Sequence, residues 1–294
     1  MSVAIVTDTN SGIGVEEGRD LGIYVLPMPV LIDGAVRYEG VDLTPEEFYR
    51  LQAEGHQVQS CQATPGEVMR LWGQALQAHQ ELVYIPMTSG LSGACQTGKM
   101  LAAEYGGRVQ VADNHRISVT QRNSVMDALD LADRGWSAAE IREELERTAY
   151  DSIIYIGVDT LEYLRRGGRI TPAAAAMGTV LQIKPLLKIE GQRLDAYAKV
   201  RGRKGCMRRL VEAMEQSAAE FRRQGGPLCI GAAGSFLDPE ERDAWIDMAR
   251  QAFPEEEIFY DPLSLSIGCH VGPNAFGMAV TRRLSPAGRK EAKP

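Results

Sequence analysis

The 294-residue chain, 44% hydrophobic, is long enough for a substantial core and, by the usual size of domains, for about two of them. Its net charge of −7 argues against a broad electrostatic hold on nucleic acid, which needs a basic face, while leaving room for local basic patches. Five cysteines, Cys61, Cys95, Cys206, Cys229 and Cys269, are an odd number without CxxC spacing; they fit free thiols in a reducing compartment and suggest no zinc site.

In chain order, the first predicted strand is residues 3–7 (VAIVT). The opening run ends at Asp8 and lacks the basic head and longer apolar stretch of a secretory signal. No later segment holds about 18 uninterrupted apolar residues, so a cytoplasmic protein without a membrane span is expected. Helix starts follow at Thr44 with Glu47 and at Thr64 with Glu67, each matching a capping box, with Pro45 and Pro65 at the favoured first helical position. Strands are predicted over 82–87 (LVYIPM) and 108–112 (RVQVA). A third capping box, Ser137 with Glu140, opens a helix whose Ile141, Leu145 and Ala149 recur at spacing four on one core-facing stripe.

At Tyr150–Ser152 a polar helix gives way to a fresh apolar strand, 153–158 (IIYIGV), and a domain boundary is expected there. The division is then 1–150, 151–283 and a tail, 284–294, whose lack of apolar residues predicts disorder. Within the second part, LRRGGRI (164–170) reads as a loop before a small-residue helix, PAAAAMG, and RGRKGCMRR (201–209) opens another helix before the strand at 228–233. Strands alternating with helices make the fold class α/β.

Three segments carry candidate chemistry. In MTSGLSGACQTGKM (87–100) a strand ends in hydroxyls and glycines before a helix, so exposed amides with Thr88, Ser89 and Ser92 suit a carboxylate or phosphate; an ordinary turn and cap is the competing reading. The same stretch matches P-loop spacing from Gly93 to Lys99, but Met100 stands where the magnesium-binding hydroxyl belongs, which weakens a nucleotide site. SCQATP (60–65) places Ser60, Cys61 and Gln62 at another helix entrance. In GCHVGPNAFG (268–277) His270 sits between glycines, in a segment flexible enough to bring an imidazole to a ligand. Ser92 with His270 as base would make a serine acyl-hydrolase; GLSGA lacks the second glycine of a nucleophile elbow and no third acidic residue is evident.

Taken in order, these segments resemble the DegV family over residues 2 to about 283. VTDTNSGI, with Asp8 and Thr9, is similar to the family's opening strand and loop; SCQATP resembles its TSQPS box and TSGLSGACQ its SSGLSGTYQ box; LEYLRRGGRI, the Lys184–Pro185 pair, KVRGRKG and HVGP match later landmarks. The resemblance implies a two-lobed fold, a Rossmann-like N-terminal lobe and an α/β C-terminal lobe, with a long-chain fatty acid between them. It implies that Ser60 and Ser92 take the carboxylate-binding roles, with His270, Cys61 and Ser89 nearby. It also implies a non-catalytic subunit without its own cofactor, which presents the acid to a separate fatty acid kinase through Arg169 and Arg201. Arg165, Arg166, Arg203 and Lys204 would extend that surface toward the partner or anionic lipid headgroups. The sequence departs from the family at Gly12 (an acid there), Cys61 and Ala63 (serine and proline), Thr120 and Arg122 (often glycines) and Asn274 (glycine).

Overall fold

The computed structural model describes residues 2–177, 183–191 and 193–284. The expected tail therefore lies, beyond Leu284, outside the described residues.

The first part of the chain runs β1 (Val3–Asp8), α1 (Val15–Asp20), β2 (Tyr24–Leu26), β3 (Pro29–Ile32), β4 (Ala35–Tyr38), α2 (Pro45–Ala53), β5 (Val58–Ser60), α3 (Pro65–Ala78), β6 (Glu81–Ile85), α4 (Ala94–Ala102), β7 (Val109–Val111), α5 (Val119–Asp133) and α6 (Ala138–Arg147). Strands β2-β1-β6-β7 form a parallel sheet. All six residues of β1 are buried, as a central parallel strand covered on both faces requires. Alternate residues feed two cores: Val6, Leu82 and Tyr84 pack with Val68, Trp72 and Cys95 of α3 and α4, while Ile5, Val83 and Ile85 meet Val125 and Leu131 of α5 and Ile141 and Leu145 of α6. The predicted stripe of α6 is thus core-facing.

The second part runs β8 (Ser152–Gly157), α7 (Glu162–Gly167), α8 (Pro172–Ala175), β9 (Ile183–Ile189), β10 (Asp195–Arg201), α9 (Arg203–Gln224), β11 (Leu228–Gly234), α10 (Pro239–Ala252), β12 (Ile258–Pro262), α11 (Leu265–Val271) and β13 (Phe276–Arg282). Its six strands lie in the order β10-β9-β8-β13-β11-β12, antiparallel except for β11 with β12. Helices α9 and α10 cover one face through Leu210, Met214, Trp245 and Ala249. The other face, with Ile154, Ile156, Leu187 and Ile189, packs toward Leu91, Ile117 and Val119 of the first lobe, so the two lobes share this core.

A small antiparallel sheet, β4-β3-β5, straps the lobes together: Val30, Phe48 and Tyr49 pack on Leu265 and Cys269 of α11. Hydrogen bonds reinforce the strap, from Ser264 Oγ to Asn10 Oδ1 (2.9 Å) and from the Leu265 amide to Glu39 (2.8 Å). Thr88 Oγ1 adds another, to the Gly191 carbonyl at 2.7 Å.

Local expectations meet different fates. The Thr64–Glu67 and Ser137–Glu140 capping boxes form in full. Thr44 caps α2, but Glu47 turns to Arg37 instead of reaching back. The stretch read as a loop at LRRGG is helical through Gly167, and Gly168, at φ 66°, ends it. GCHVG is likewise not a flexible segment: Gly268 to Val271 belong to α11, and Gly272, at φ 72°, closes it with the Tyr163 ring where a Cβ would stand. Asn274 takes φ 59°, a left-handed conformation that asparagine tolerates better than most, so glycine is not required there. Thr120 and Arg122 sit inside α5; the Thr120 hydroxyl bonds the Ile117 carbonyl (2.8 Å), and Arg122 pairs with Glu17 and, at 3.4 Å, with Asp261.

Candidate functional site

The carboxyl ends of β1 and β6 point at the lobe junction, where parallel α/β sheets bind ligands. Asp8 ends β1 and fixes the geometry there: its buried carboxylate accepts from the amides of Asn10 (3.0 Å) and Met87 (3.2 Å) and from Gln121 (3.3 Å). Burial pushes its pKa up to about 6 against those hydrogen bonds. Asp8 is thus a scaffold that ties the loop after β6 to the loop after β1.

A cavity with about 910 Å³ of empty space, part of it continuous with solvent, opens between the lobes. Its walls are largely hydrocarbon: Met28, Met87 and Leu91 from the first lobe, Ile154, Ile156 and Ile189 from the second. Polar groups are few, and Ser60, Cys61, Ser92, Arg169 and His270 all line it.

Among these, Ser60 and His270 pair with each other, Oγ and Nε2 2.7 Å apart. The end of β5 supplies the serine and the last turn of α11 the imidazole. Burial, then the nearby Arg169 cation, lowers the His270 pKa to about 4, so the ring is neutral at pH 7. Its Nδ1 is buried without a hydrogen-bond partner among the described residues and faces Gly167, where a Cβ would come within 2.1 Å of it. Gly167 is therefore required by close approach. Arg169 is half-buried, with Nη1 donating to the Gly167 carbonyl.

Ser92 lies before α4, and its Oγ accepts from the Ala94 amide at 3.2 Å. Ser89 is exposed, away from the cavity wall, its amide held by Asp113 at 3.3 Å. Arg201 ends β10 in solvent, outside the cavity. The Arg169 side chain lines the same space as Ser60 and Ser92.

Two alternative chemistries meet contrary geometry. From Ala94 to Lys99 the P-loop-like spacing is helical, Gly98 packs against Tyr84 and Val111, and Lys99 pairs with Glu146 at 3.6 Å, so no loop exists to wrap a phosphate chain. A Ser92–His270 hydrolase is not assembled either, because His270 bonds Ser60 and no carboxylate among the described residues orients its Nδ1. Among the described residues no group of three or more His, Cys, Asp or Glu side chains could hold a metal ion, and no helix is long and apolar enough to cross a membrane.

Some lining residues carry no sequence signal. Ser118 is buried at φ 54°, with a hydroxyl lacking a partner among the described residues, and Ser266 is buried on α11. Only the fold turns them inward; the positive φ of a serine cannot be read from composition.

These features define a two-lobed α/β protein with an apolar interlobe cavity whose lining also presents hydroxyls, an imidazole and a guanidinium. The chain belongs to the DegV family, whose description is of uncharacterised proteins and whose model matches residues 2–283. A DegV domain-containing protein of Deinococcus radiodurans is 32% identical over 285 residues, 95% of this chain and 98% of that one. Among solved structures, a DegV family protein from Thermus thermophilus, described as fatty acid binding, matches with TM-score 0.84 and 27% identity, covering 96% of this chain and 100% of its own. A stearic acid-binding protein from Eubacterium ventriosum shares the fold at TM-score 0.85 and 18% identity, over 96% of this chain and 98% of its own.

Proposed function

We propose that this protein binds one long-chain fatty acid in the interlobe cavity and presents its carboxylate to a separate kinase for conversion to an acyl phosphate. The observation that carries the reading is a hydrocarbon-walled cavity whose lining also holds the polar groups of Ser60, Ser92, His270 and Arg169. The fatty acid binding described for the Thermus thermophilus relative supports it. Residues 1–150 would supply most of the head-group contacts and residues 151–283 most of the tail's.

A chain of about 16 carbons, at roughly 0.8 kcal/mol per buried methylene, gains more than about 10 kcal/mol before association and ordering costs. Each hydrogen bond to the charged head adds about 1.5–3 kcal/mol and must first offset desolvation. Tail burial therefore sets affinity and the head-group residues set orientation. The Ser60 hydroxyl donates to only one acceptor at a time, so a carboxylate arriving there competes with neutral His270, whose tautomer protonated on Nε2 would donate to Ser60 instead. Arg169 supplies the counter-charge.

In the phosphoryl transfer a carboxylate oxygen bonds to the γ-phosphorus of ATP, the bond to the bridging oxygen breaks and ADP leaves; nucleotide, metal and base come from the partner. The protein itself acts without catalysis, in the cytoplasm, with Arg201 as part of the kinase-facing surface, transient contact with membrane headgroups and no nucleic-acid partner. Native mass spectrometry of the purified protein should show a stoichiometric acyl-chain mass that organic extraction removes and added palmitate restores. Absence of any acyl chain together with no uptake of palmitate would refute the reading.

A further inference from the structure

Beyond Ser60 and Ser92, two hydroxyls line the cavity: Ser118 at the start of α5 and Ser266 in the first turn of α11. They are 6% and 3% exposed. A serine at a helix start ordinarily turns its oxygen onto an amide of the first turn, but Ser118 makes no such cap. Thr120 closes that turn instead, its hydroxyl donating to the Ile117 carbonyl at 2.8 Å and accepting from the Ile117 amide at 3.3 Å. Ser118 Oγ is therefore left on the cavity wall, buried and without a partner among the described residues. Its neighbours Ile117 and Val119 belong to the apolar core they share with Ile154, Ile156 and Ile189, so the hydroxyl is set in a hydrocarbon stretch. Asn10 fixes its place: the Asn10 carbonyl accepts from the Ser118 amide at 2.8 Å and Asn10 Oδ1 from Ser264 Oγ at 2.9 Å, so the starts of α5 and α11 meet on one residue. Ser266 and His270 stand four apart on α11 and both line the cavity, which sets Ser266 one helical turn, about 6 Å, from the imidazole.

We propose that Ser118, together with Ser266, forms a second polar subsite of the cavity, which pairs with a hydroxyl carried partway along the acyl chain and so admits hydroxylated long-chain acids, selecting the position of that hydroxyl. The inference rests on the carrier reading above and deepens it by naming a class of acid. A hydroxyl has one proton to donate and two lone pairs to accept with, so an in-chain hydroxyl can donate to one serine and accept from the other. One placed elsewhere on the chain meets only the isoleucine walls, and burying it there unpaired costs about tenfold in affinity. A plain chain carries no such group and offers Ser118 nothing. The subsite thus reads where the oxygen sits, a property that tail burial alone does not distinguish.

The experiment titrates the delipidated full chain and its Ser118→Ala and Ser118→Gly variants with stearate and with a series of monohydroxystearates in which the hydroxyl moves along the chain. Residue 118 is at φ 54°, which glycine adopts freely, so the second variant removes the hydroxyl without adding backbone strain. The parent is expected to bind one isomer about tenfold more tightly than the isomers on either side of it. Both variants are expected to lose that preference while binding stearate at least as tightly as the parent does. A parent that ranks no isomer above its neighbours, a preference that survives removal of the Ser118 hydroxyl, or an equal loss for stearate and the favoured isomer overturns the subsite. Where no isomer is ranked, uptake of stearate leaves the carrier reading standing, whereas refusal of every acid overturns that reading as well.

Discussion

Ser60 Oγ and His270 Nε2 meet at 2.7 Å across 210 residues of sequence, and the imidazole in that pair is held neutral by burial and by the Arg169 cation. A histidine with a folded pKa near 4 and an ordinary value of 6.5 binds fewer protons folded than unfolded between those limits. Stability from this group is therefore full above about pH 6.5 and is lost as pH falls toward 4, by about 2 kcal/mol after allowance for partial exposure.

Replacing His270 by Gln should remove that slope. Denaturant unfolding of parent and variant at pH 7.5 and 4.5 should show the variant gaining about 2 kcal/mol relative to the parent at the lower pH. Asp8 and Glu39, lifted to about 6 and 7 by burial, work in the opposite direction in both proteins and cancel in the comparison. A constant difference across the two pH values would show that His270 titrates normally.

Ser92 tests the division between grip and presentation. Its hydroxyl lines the cavity and accepts only one backbone amide, so it retains a proton to donate to a carboxylate. Ser92→Ala should weaken palmitate binding by about 1.5–3 kcal/mol at most, because the buried tail is untouched. Phosphorylation by the cognate kinase, measured at saturating lipid, should fall further than binding does. Equal losses would place the serine in affinity alone.

Arg169 and Arg201, paired by the family resemblance as kinase-facing residues, separate in the structure. Arg169 lines the cavity beside His270, whereas Arg201 is exposed at the end of β10. Arg201→Ala should leave palmitate affinity and melting temperature unchanged while raising the kinase concentration needed for half-maximal rate, with a salt-dependent defect. Arg169→Ala should weaken palmitate binding about tenfold through loss of the counter-charge. If Arg169→Ala binds palmitate normally and only the kinase rate falls, its role is at the partner surface.

The contrast shows which parts of the molecule were legible in the sequence. Helix starts at Thr64 and Ser137 were readable because a capping box is closed within four residues. Helix α11 was not, because what holds GCHVG helical is tertiary: Gly268 lies so near Phe48 and Tyr49 that a Cβ would approach the Tyr49 hydroxyl at 2.7 Å. The glycines of LRRGG suggest a loop for a similar reason, yet Gly167 accommodates His270 and Gly168 ends the helix in the left-handed region. Ser60, Ser92 and His270 could be picked out as hydroxyls and an imidazole near glycines, but their convergence depends on two lobes closing. Ser118 lines the site with no motif around it.

Gly12 stands where the family carries an acid, and three residues explain why this chain does not. Gly12 is at φ 83°, a Cβ on it would lie 2.8 Å from Asp261 Oδ2, and Asp261 pairs with Arg122 at 3.4 Å. Arg122 in turn occupies a position where the family often has glycine. Burial lifts the Asp261 pKa to about 7 despite the Arg122 cation, so a second carboxylate beside it would be resisted strongly at neutral pH. Gly12→Asp should combine left-handed strain, steric overlap and like-charge repulsion, and destabilise the fold by about 2–4 kcal/mol. Asp261→Ala in the same chain should recover at least half of that loss, since it removes both the overlap and the charge. Thermal unfolding of the two single variants and the double variant at pH 8 gives the coupling. Additive losses would mean that Gly12 answers only to its own backbone conformation and that the Asp261 carboxylate has no part in keeping an acid out.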